Sequence, residues 1–362
     1  MNLTALHDWH VQHSGRMVDF AGWEMPIQYS SIVEEHTAVR HAAGLFDIAH
    51  MGRLSFTGPQ AAAFLDLLLT NDVTRLKTGM VRYSLVCNEA GGILDDVLVY
   101  RLSQDRYALV VNASNREKIV DWIGQHSPSF DVNLADRTLE TFMLALQGPR
   151  SVEILSQLTA ANIGDMGYYT SIETTIGDVP VLLSRTGYTG EDGFEIDCPR
   201  EAGVGLWESV LSAGASFDIA PCGLGCRDTL RLEAAMPLYG HEMDETVDPL
   251  TAGLGFGVKL NRGEFIGKSA LVEKSQRSDL PIRVGIELAG RRIAREGALL
   301  FHGDQQVGHV TSGTFSPTLQ KAIGMAYVPK SLAAIGTEIE VDIRGKRETA
   351  RVVPLPFYRR PQ

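Results

Sequence analysis

The sequence predicts an α+β protein: antiparallel sheets flanked by helices, then a separate all-β domain closing as a small barrel or jelly roll. Three observations lead there. Strand signals between Phe46 and Trp122 come as adjacent pairs set between helices, the order of hairpins and not of βαβ crossovers. Beyond Pro281 only short strand signals remain, separated by Gly and polar turns. The 362 residues exceed what one hydrophobic core accommodates, so two or three domains are expected.

Taken in order, Thr4 is placed to cap a short helix through Leu6, Trp9, His10 and His13, with Gly15 as its stop. A second helix is expected over 31–43, ended by Gly44. Gly58-Pro59 opens a helix over 60–69, and 82–87 reads as a strand. Gly91-Gly92 then turns the chain into a strand over 93–101, and 107–112 returns after a polar loop. Ser114 begins a helix through Trp122. Strand signals resume at 141–145, 173–176, 179–184 and 194–198, with helices over 150–158, 203–211, 223–236 and 263–273. The charged stretch 273–278 before Pro281 reads as a linker. Six strands follow, at 283–288, 297–301, 306–312, 322–328, 337–343 and 348–353.

Hydrophobic residues make up 44% and charged residues 21%, a balance that can bury sizeable cores. A formal net charge of -11 argues against a general nucleic-acid binder, because no basic surplus exists to displace counterions. Arg137, Arg291, Arg292, Arg295 and Arg359-Arg360 remain available for a local basic patch. No run of about 20 apolar residues offers a membrane span. The start of the chain has neither the basic and apolar regions of a signal peptide nor the Arg/Ser richness of a transit peptide, so a cytoplasmic protein is expected. Cys87, Cys198, Cys222 and Cys226 fit buried, reduced thiols. The last two form a C-x3-C without a second Cys or His pair at zinc spacing. His7, His10 and His13 share a helix face, but no Asp, Glu or Cys set completes a coordination sphere, so no metal is expected there.

Gly263 to Ser269 nearly spells a phosphate loop and falls one residue short, so it reads as a turn into a helix. The glycines at 253, 255 and 257 lack dinucleotide spacing, and neither a G-x-S-x-G elbow nor an H-E-x-x-H motif occurs. No nucleotide cofactor is expected.

Three segments carry chemistry. In Asn88-Glu-Ala-Gly-Gly-Ile-Leu-Asp95-Asp96-Val-Leu-Val-Tyr100, two adjacent carboxylates begin an apolar strand, and strand alternation sends them to opposite faces. If 103–106 closes a hairpin, the register sets Asn112 opposite Asp96 within one residue. An amide beside a carboxylate under apolar walls suits an amine-rich heterocycle; an Asp capping backbone amides at a turn is the alternative. In Arg185-Thr-Gly-Tyr188-Thr-Gly-Glu-Asp-Gly-Phe-Glu195, three glycines make a compact loop that lets backbone approach a ligand. Glu195, inside an apolar strand, marks an ion pair or a ligand contact. In Cys222-Gly-Leu-Gly-Cys226-Arg227-Asp-Thr-Leu-Arg231-Leu-Glu233, Arg231 and Glu233 are placed to stitch the helix to a neighbour. Arg227, in the first turn, is freer to reach a site.

With these segments the chain resembles the T-protein family of the glycine cleavage system along nearly its whole length. The resemblance also rests on Val18-Asp-Phe-Ala-Gly-Trp-Glu-Met-Pro26, Gly44-Leu-Phe-Asp-Ile-Ala-His-Met-Gly52, Val111-Asn-Ala-Ser-Asn115, Met236-Pro-Leu-Tyr-Gly-His-Glu242 and Pro249-Leu-Thr-Ala-Gly-Leu-Gly255. It implies a three-domain cloverleaf around a central folate channel. Residues 1–54 with 137–241 would form a discontinuous first domain, 55–136 with 242–279 a second carrying the hairpin, and 280–362 a β-rich third. It implies aminomethyltransferase activity: a one-carbon unit moves from the aminomethyl-dihydrolipoyl arm of the H-protein to tetrahydrofolate, giving 5,10-methylenetetrahydrofolate and ammonia. Asp96 falls on the family's catalytic aspartate, and Tyr83, Asn112, Tyr188, Glu195 and Arg227 fall on pterin or channel positions. Tyr358 matches a C-terminal channel residue more loosely. Two relatives of the same ancestry compete. A folate-dependent demethylase is disfavoured because the chain carries the 227–234 and 236–242 strings and no flavoprotein half. A non-catalytic folate-binding protein of the iron–sulfur assembly type is disfavoured because its Lys-Gly-Cys-Tyr-like string is absent.

Overall fold

The computed structural model describes residues 1–361. Its mixed α+β chain forms a three-stranded, a five-stranded and a six-stranded sheet together with a closed six-stranded barrel. Two compact units divide it: Met1–Ser84 with Asp95–Arg227, and Leu85–Leu94 with the chain from Asp228 onward.

In the first unit, the six-stranded sheet runs in the order Ser171–Ile176, Val179–Ser184, Gly193–Pro199, Thr141–Gln147, Ala43–Asp47, Ile219–Cys222. Every pair is antiparallel except the last, which is parallel. Inward residues Leu45, Phe142, Leu144, Leu146, Phe194 and Ile196 pack with Trp207 of the helix Gly203–Gly214 into one core. The five-stranded sheet has the order Val81–Cys87, Ile93–Arg101, Arg106–Val111, Gly52–Thr57, Asn133–Asp136, so the expected hairpin is present.

Local chemistry explains where the helices begin. The Ser31 hydroxyl accepts the Glu34 N–H at 3.2 Å and donates to the Glu34 carboxylate at 2.9 Å, a reciprocal cap on the helix Ile32–His41. That helix ends two residues before the expected 43. Gly44 is not its stop but a member of the strand Ala43–Asp47. A Cβ there would lie 2.3 Å from Val39 and 2.8 Å from the Cys222 sulfur, so glycine is required by close packing. Thr4 likewise is not the cap of the first helix, His7–Gln12: its hydroxyl accepts the Leu6 N–H one residue early, at 3.3 Å. The hairpin of Arg16–Phe20 with Trp23–Gln28 carries no strong strand signal and was not expected; Ala21 and Gly22, both at positive φ, form its turn.

In the second unit, the strands Ile282–Leu288, Lys321–Val328, Gln305–Ser316, Leu299–His302, Glu338–Ile343 and Lys346–Val353 close in that order into a barrel. These are the six strands the sequence predicts, and closure leaves no sheet edge exposed. Ile286, Leu300, Val310, Ala326, Val341 and Val352 fill the interior. Arg231 and Glu233, as expected, act as stitches. Arg231 donates to Glu242 at 2.9 Å and to Ser312 at 2.8 Å, while Glu233 accepts from Thr318 at 2.8 Å. Arg231 and Glu242 are both shut off from water, which makes the pair costly to break from one side.

Arg231→Met should therefore destabilise the protein by about 3–5 kcal/mol, because Glu242 is left buried without its partner. Arg231→Met combined with Glu242→Gln should recover much of that loss. Urea unfolding of the three proteins checks both; equal losses in the single and double variants would contradict the pairing argument.

Candidate functional site

The strand Ile93–Arg101 and its partner Arg106–Val111 pair in a register of Leu98 with Val110 and Tyr100 with Ala108. Continuing that ladder by two pairs places Asn112 across from Asp96, as the sequence predicts. Alternation holds in the burial pattern: Asp95 is fully buried beside Ile93, Val97 and Val99, whereas Asp96 is half-buried on the face of Leu98. Opposite faces nevertheless do not separate the two acids. The Asn112 side-chain amide donates to Asp95 Oδ1 at 2.8 Å and to Asp96 Oδ1 at 2.7 Å. One amide nitrogen carries two hydrogens, and both are used on carboxylates. The Asn112 backbone N–H adds a bond to Asp95 Oδ2 at 2.9 Å, and Asn115 donates to Asp95 Oδ1 at 2.6 Å.

Asp96 receives a further bond from the Tyr83 hydroxyl, at 3.0 Å to Oδ2. Burial pushes both carboxyls well above the usual carboxylate range, and for Asp95 the charge of Asp96 adds to it. The amide and phenol donors pull the other way without cancelling the desolvation. Burial and the Asp96 charge also hold the Tyr83 phenol far above its ordinary value, so it stays protonated and donates to Asp96.

A second group lies on the six-stranded sheet. Glu195, 7% exposed in the strand Gly193–Pro199, accepts the Thr186 hydroxyl at 2.6 Å. Burial raises its pKa, with the Thr186 bond and the Arg227 charge opposing. The Arg227 guanidinium sits 4.8 Å from the centre of the Tyr188 ring, a cation–π contact. Behind Glu195 the two sheets leave a cleft lined by Tyr100, Val110, Leu182 and Ser184, with about 30 Å³ of free space. That is room for water only, so it is not where a bicyclic ring would sit.

The structure thus brings Tyr83, Asp96 and Asn112 into direct contact, and Tyr188, Glu195 and Arg227 into a neighbouring group of the same unit. The groups share electrostatic neighbours: Tyr169 feels both Glu195 and Asp96, and Tyr83 feels both Asp96 and Tyr188. Tyr358 belongs to the second unit, where its N–H donates to the Glu233 carbonyl at 2.8 Å.

Sequence reasoning missed four members. Asn115 follows Asn112 by three within a short 3-10 turn, a spacing that returns side chains to one side and was readable. Tyr169 is held at φ 62 in a turn and had no local signal. Thr186 gave none either. His50 is 2% exposed, its Nδ1 has no hydrogen-bond partner, and burial next to Arg227 pushes it down to about 3, so the ring is neutral.

The other clusters are tied up locally. His10 bridges Asp47 at 3.0 Å and the Tyr29 hydroxyl at 2.7 Å, His7 reaches Glu24, and His13 stacks on Trp9. Glu35 lies close to the Cys222 and Cys226 sulfurs. Its carboxylate accepts the N–H groups of Tyr29, Ser30 and Gly223, and the thiols face backbone carbonyls. This is a clamp that fixes the turn before the helix Leu224–Glu233, and so the origin of Arg227.

Residues 6–262 match the family model described as the GCVT N-terminal domain, and 283–359 match the glycine cleavage T-protein C-terminal barrel domain. The chain belongs to the glycine cleavage T-protein family. Proteins named aminomethyltransferase from Symbiobacterium thermophilum and Geobacillus thermodenitrificans are 49% and 47% identical to it. The alignments cover 99% of this chain in both cases, and 97% and 98% of those relatives. The crystal structure of glycine cleavage system aminomethyltransferase T from Bartonella henselae superposes with a TM-score of 0.93 at 35% identity, covering 99% of this chain and 98% of that one. The family member described here is an aminomethyltransferase enzyme of the glycine cleavage system, and its family takes tetrahydrofolate as substrate. No helix among the described residues is long and apolar enough to cross a membrane.

The raised carboxyls make a stability prediction. A carboxyl whose folded pKa exceeds its unfolded value holds its proton more firmly when folded, so stability falls as pH rises through the interval between the two. Asp96→Asn removes one such group. Its unfolding free energy relative to the parent should increase from about pH 4 towards neutrality. A difference that stays flat across this interval would contradict the raised pKa.

Proposed function

We propose that Asp96 is the carboxylate at which the one-carbon unit changes hands, and that Tyr83 and Asn112 hold it in place. The observation that carries this is a half-buried carboxylate fixed by two neutral donors, 3.0 and 2.7 Å away. The aminomethyl donor is the dihydrolipoyl arm of the H-protein, and the acceptor nitrogens are N5 and N10 of tetrahydrofolate. As ammonia leaves the thioaminal, the carbon becomes cationic. A carboxylate stabilises that charge and can take up the proton that an acceptor nitrogen must lose; an amide does neither. A pKa raised by burial suits a group that must accept a proton near neutral pH.

Glu195 supports binding in a different way. A buried carboxylate presents two oxygens to N–H donors of an amine-rich ring, and Arg227 and Tyr188 form a planar wall beside it. The donor set fits a pterin: acceptors at Asp96 and Glu195, an amide at Asn112, and aromatic faces at Tyr83 and Tyr188. Tyr358 is assigned to the folate channel by its match to the family. These roles need neither a metal nor a nucleotide. Holding donor and acceptor together removes a large entropic cost, and excluding water limits loss of the one-carbon unit.

Asp96→Asn should retain tetrahydrofolate binding, followed by tryptophan fluorescence, while ammonia release from aminomethylated H-protein falls by roughly 10²–10⁴. Unchanged turnover would remove Asp96 from the mechanism. The carrier is acidic and this chain is itself at -11, so docking needs local Arg and Lys. Turnover at limiting H-protein should weaken as salt rises; indifference to ionic strength would contradict electrostatic docking.

A further inference from the structure

We infer that Asp95 is a positioning residue for the reaction: it holds Asn112 so that a single amide serves both carboxylates, and it thereby keeps a donor on Asp96. The inference rests on the reading of Asp96 given above and deepens it.

The geometry is lopsided. Asp95 is completely buried and accepts three hydrogen bonds, from the Asn112 N–H, the Asn112 amide and the Asn115 amide, at 2.9, 2.8 and 2.6 Å. None of these donors is free to turn elsewhere. The Asn112 N–H fixes the end of the strand Arg106–Val111, and the Asn115 amide closes the short turn that follows. Asp95 therefore determines both where the Asn112 backbone lies and which way its amide points. A flipped amide would set its oxygen against two carboxylates, so the orientation is fixed by repulsion as well as by attraction.

The electrostatic part follows from the same contacts. The groups facing Asp96 are Tyr83 from the neighbouring strand, Tyr169 from the turn beside it, and Asp95 from its own strand. The two tyrosines are neutral, and Asp95 is raised further than Asp96, so it still holds its proton as Asp96 ionises. The Asp96 charge then lifts Asp95, whereas Asp96 itself is lifted by burial, with the Asn112 and Tyr83 donors pulling it down. Because they share one amide, the pair titrates as a unit. Removing the acceptor oxygens of Asp95 should loosen Asn112, take a donor from Asp96 and so make Asp96 ionise at higher pH.

The test is the pH dependence of turnover in Asp95→Asn, alongside tetrahydrofolate binding. The amide replacement brings donor hydrogens against Asn112 and Asn115. The plateau rate should fall roughly 10- to 100-fold through misplacement of Asn112. The acid limb of the rate profile should also move to higher pH, by about one unit, as Asp96 loses the Asn112 donor. Folate affinity should change by only a few-fold. A limb that stays where it is, or moves down, overturns the inference, since a merely structural role lowers the plateau without moving the limb. Should Asp95→Asn fail to fold, Asn115→Leu removes one donor from Asp95 without touching Asp96. The limb should then move the same way by a smaller amount, and no movement overturns the inference. Asp96→Asn run in parallel separates the two ideas. Full turnover there sinks the reading of Asp96 and the Asp95 role with it, whereas lost turnover there with an unmoved limb in Asp95→Asn sinks the Asp95 role alone.

Discussion

Two carboxylates next to each other in sequence are bridged by one amide, and the first unit is arranged so that this can happen. Asn112 has only two side-chain hydrogens, and the bridge uses both. The antiparallel register of 93–101 with 106–111 puts the amide across from Asp96, and the turn at 113–115 supplies the second amide. A slip of one residue in that register would send Asn112 to the wrong face. The hairpin is therefore fixed on both sides, by the buried Leu54 and Phe56 of the adjoining strand Gly52–Thr57 and by the strand Val81–Cys87 that carries Tyr83. Placing such a group on strands and not on a loop holds it to the tolerance that chemistry needs.

The same logic governs the second group. Glu195 comes from the middle of a sheet, and Arg227 from the first turn of a helix whose start is clamped by Glu35 through the Gly223 N–H at 2.8 Å. Gly44 lets the Cys222 sulfur approach the strand beside it, and a side chain there would push the clamp away. Four residues beyond Arg227, on the same helix, Arg231 is committed to Glu242 and Ser312 in the second unit. One helix thus splits its two arginines between a site and a structural stitch.

How much of this was readable depends on the range of the interactions. The hairpin, the pairing of Asp96 with Asn112 and the division of labour between Arg227 and Arg231 are local, set by alternation, by a short turn and by helical spacing. The six barrel strands were likewise visible one by one from their turns. The parallel pairing of Ala43–Asp47 with Ile219–Cys222 was not, since partners so distant in sequence leave no periodic trace. Gly44 shows the resulting error: locally it resembles a helix stop, and only its remote neighbour explains it. Tyr169 and His50 escaped for a similar reason, since one depends on a left-handed turn and the other on burial beside Arg227. Alternation also misled in one respect. It separates Asp95 from Asp96 by face, yet a side chain at the end of the partner strand reaches both.

Charge placement gives the two groups different tasks. Arg227 acts on Glu195 and lowers the cost of keeping that carboxylate ionised in a buried position. The donors to Asp95 and Asp96 are amides and a phenol, which satisfy oxygens without cancelling charge. The uncompensated negative charge of the site therefore lies at the acidic pair, in a poorly hydrated setting where its field is strong. That is the place where a cationic carbon gains most from a carboxylate, and where a guanidinium close by would remove the gain. On the proposed reading, keeping the arginine with Glu195 and leaving Asp96 to neutral donors would let one small region both bind a polar ring and stabilise a passing positive charge.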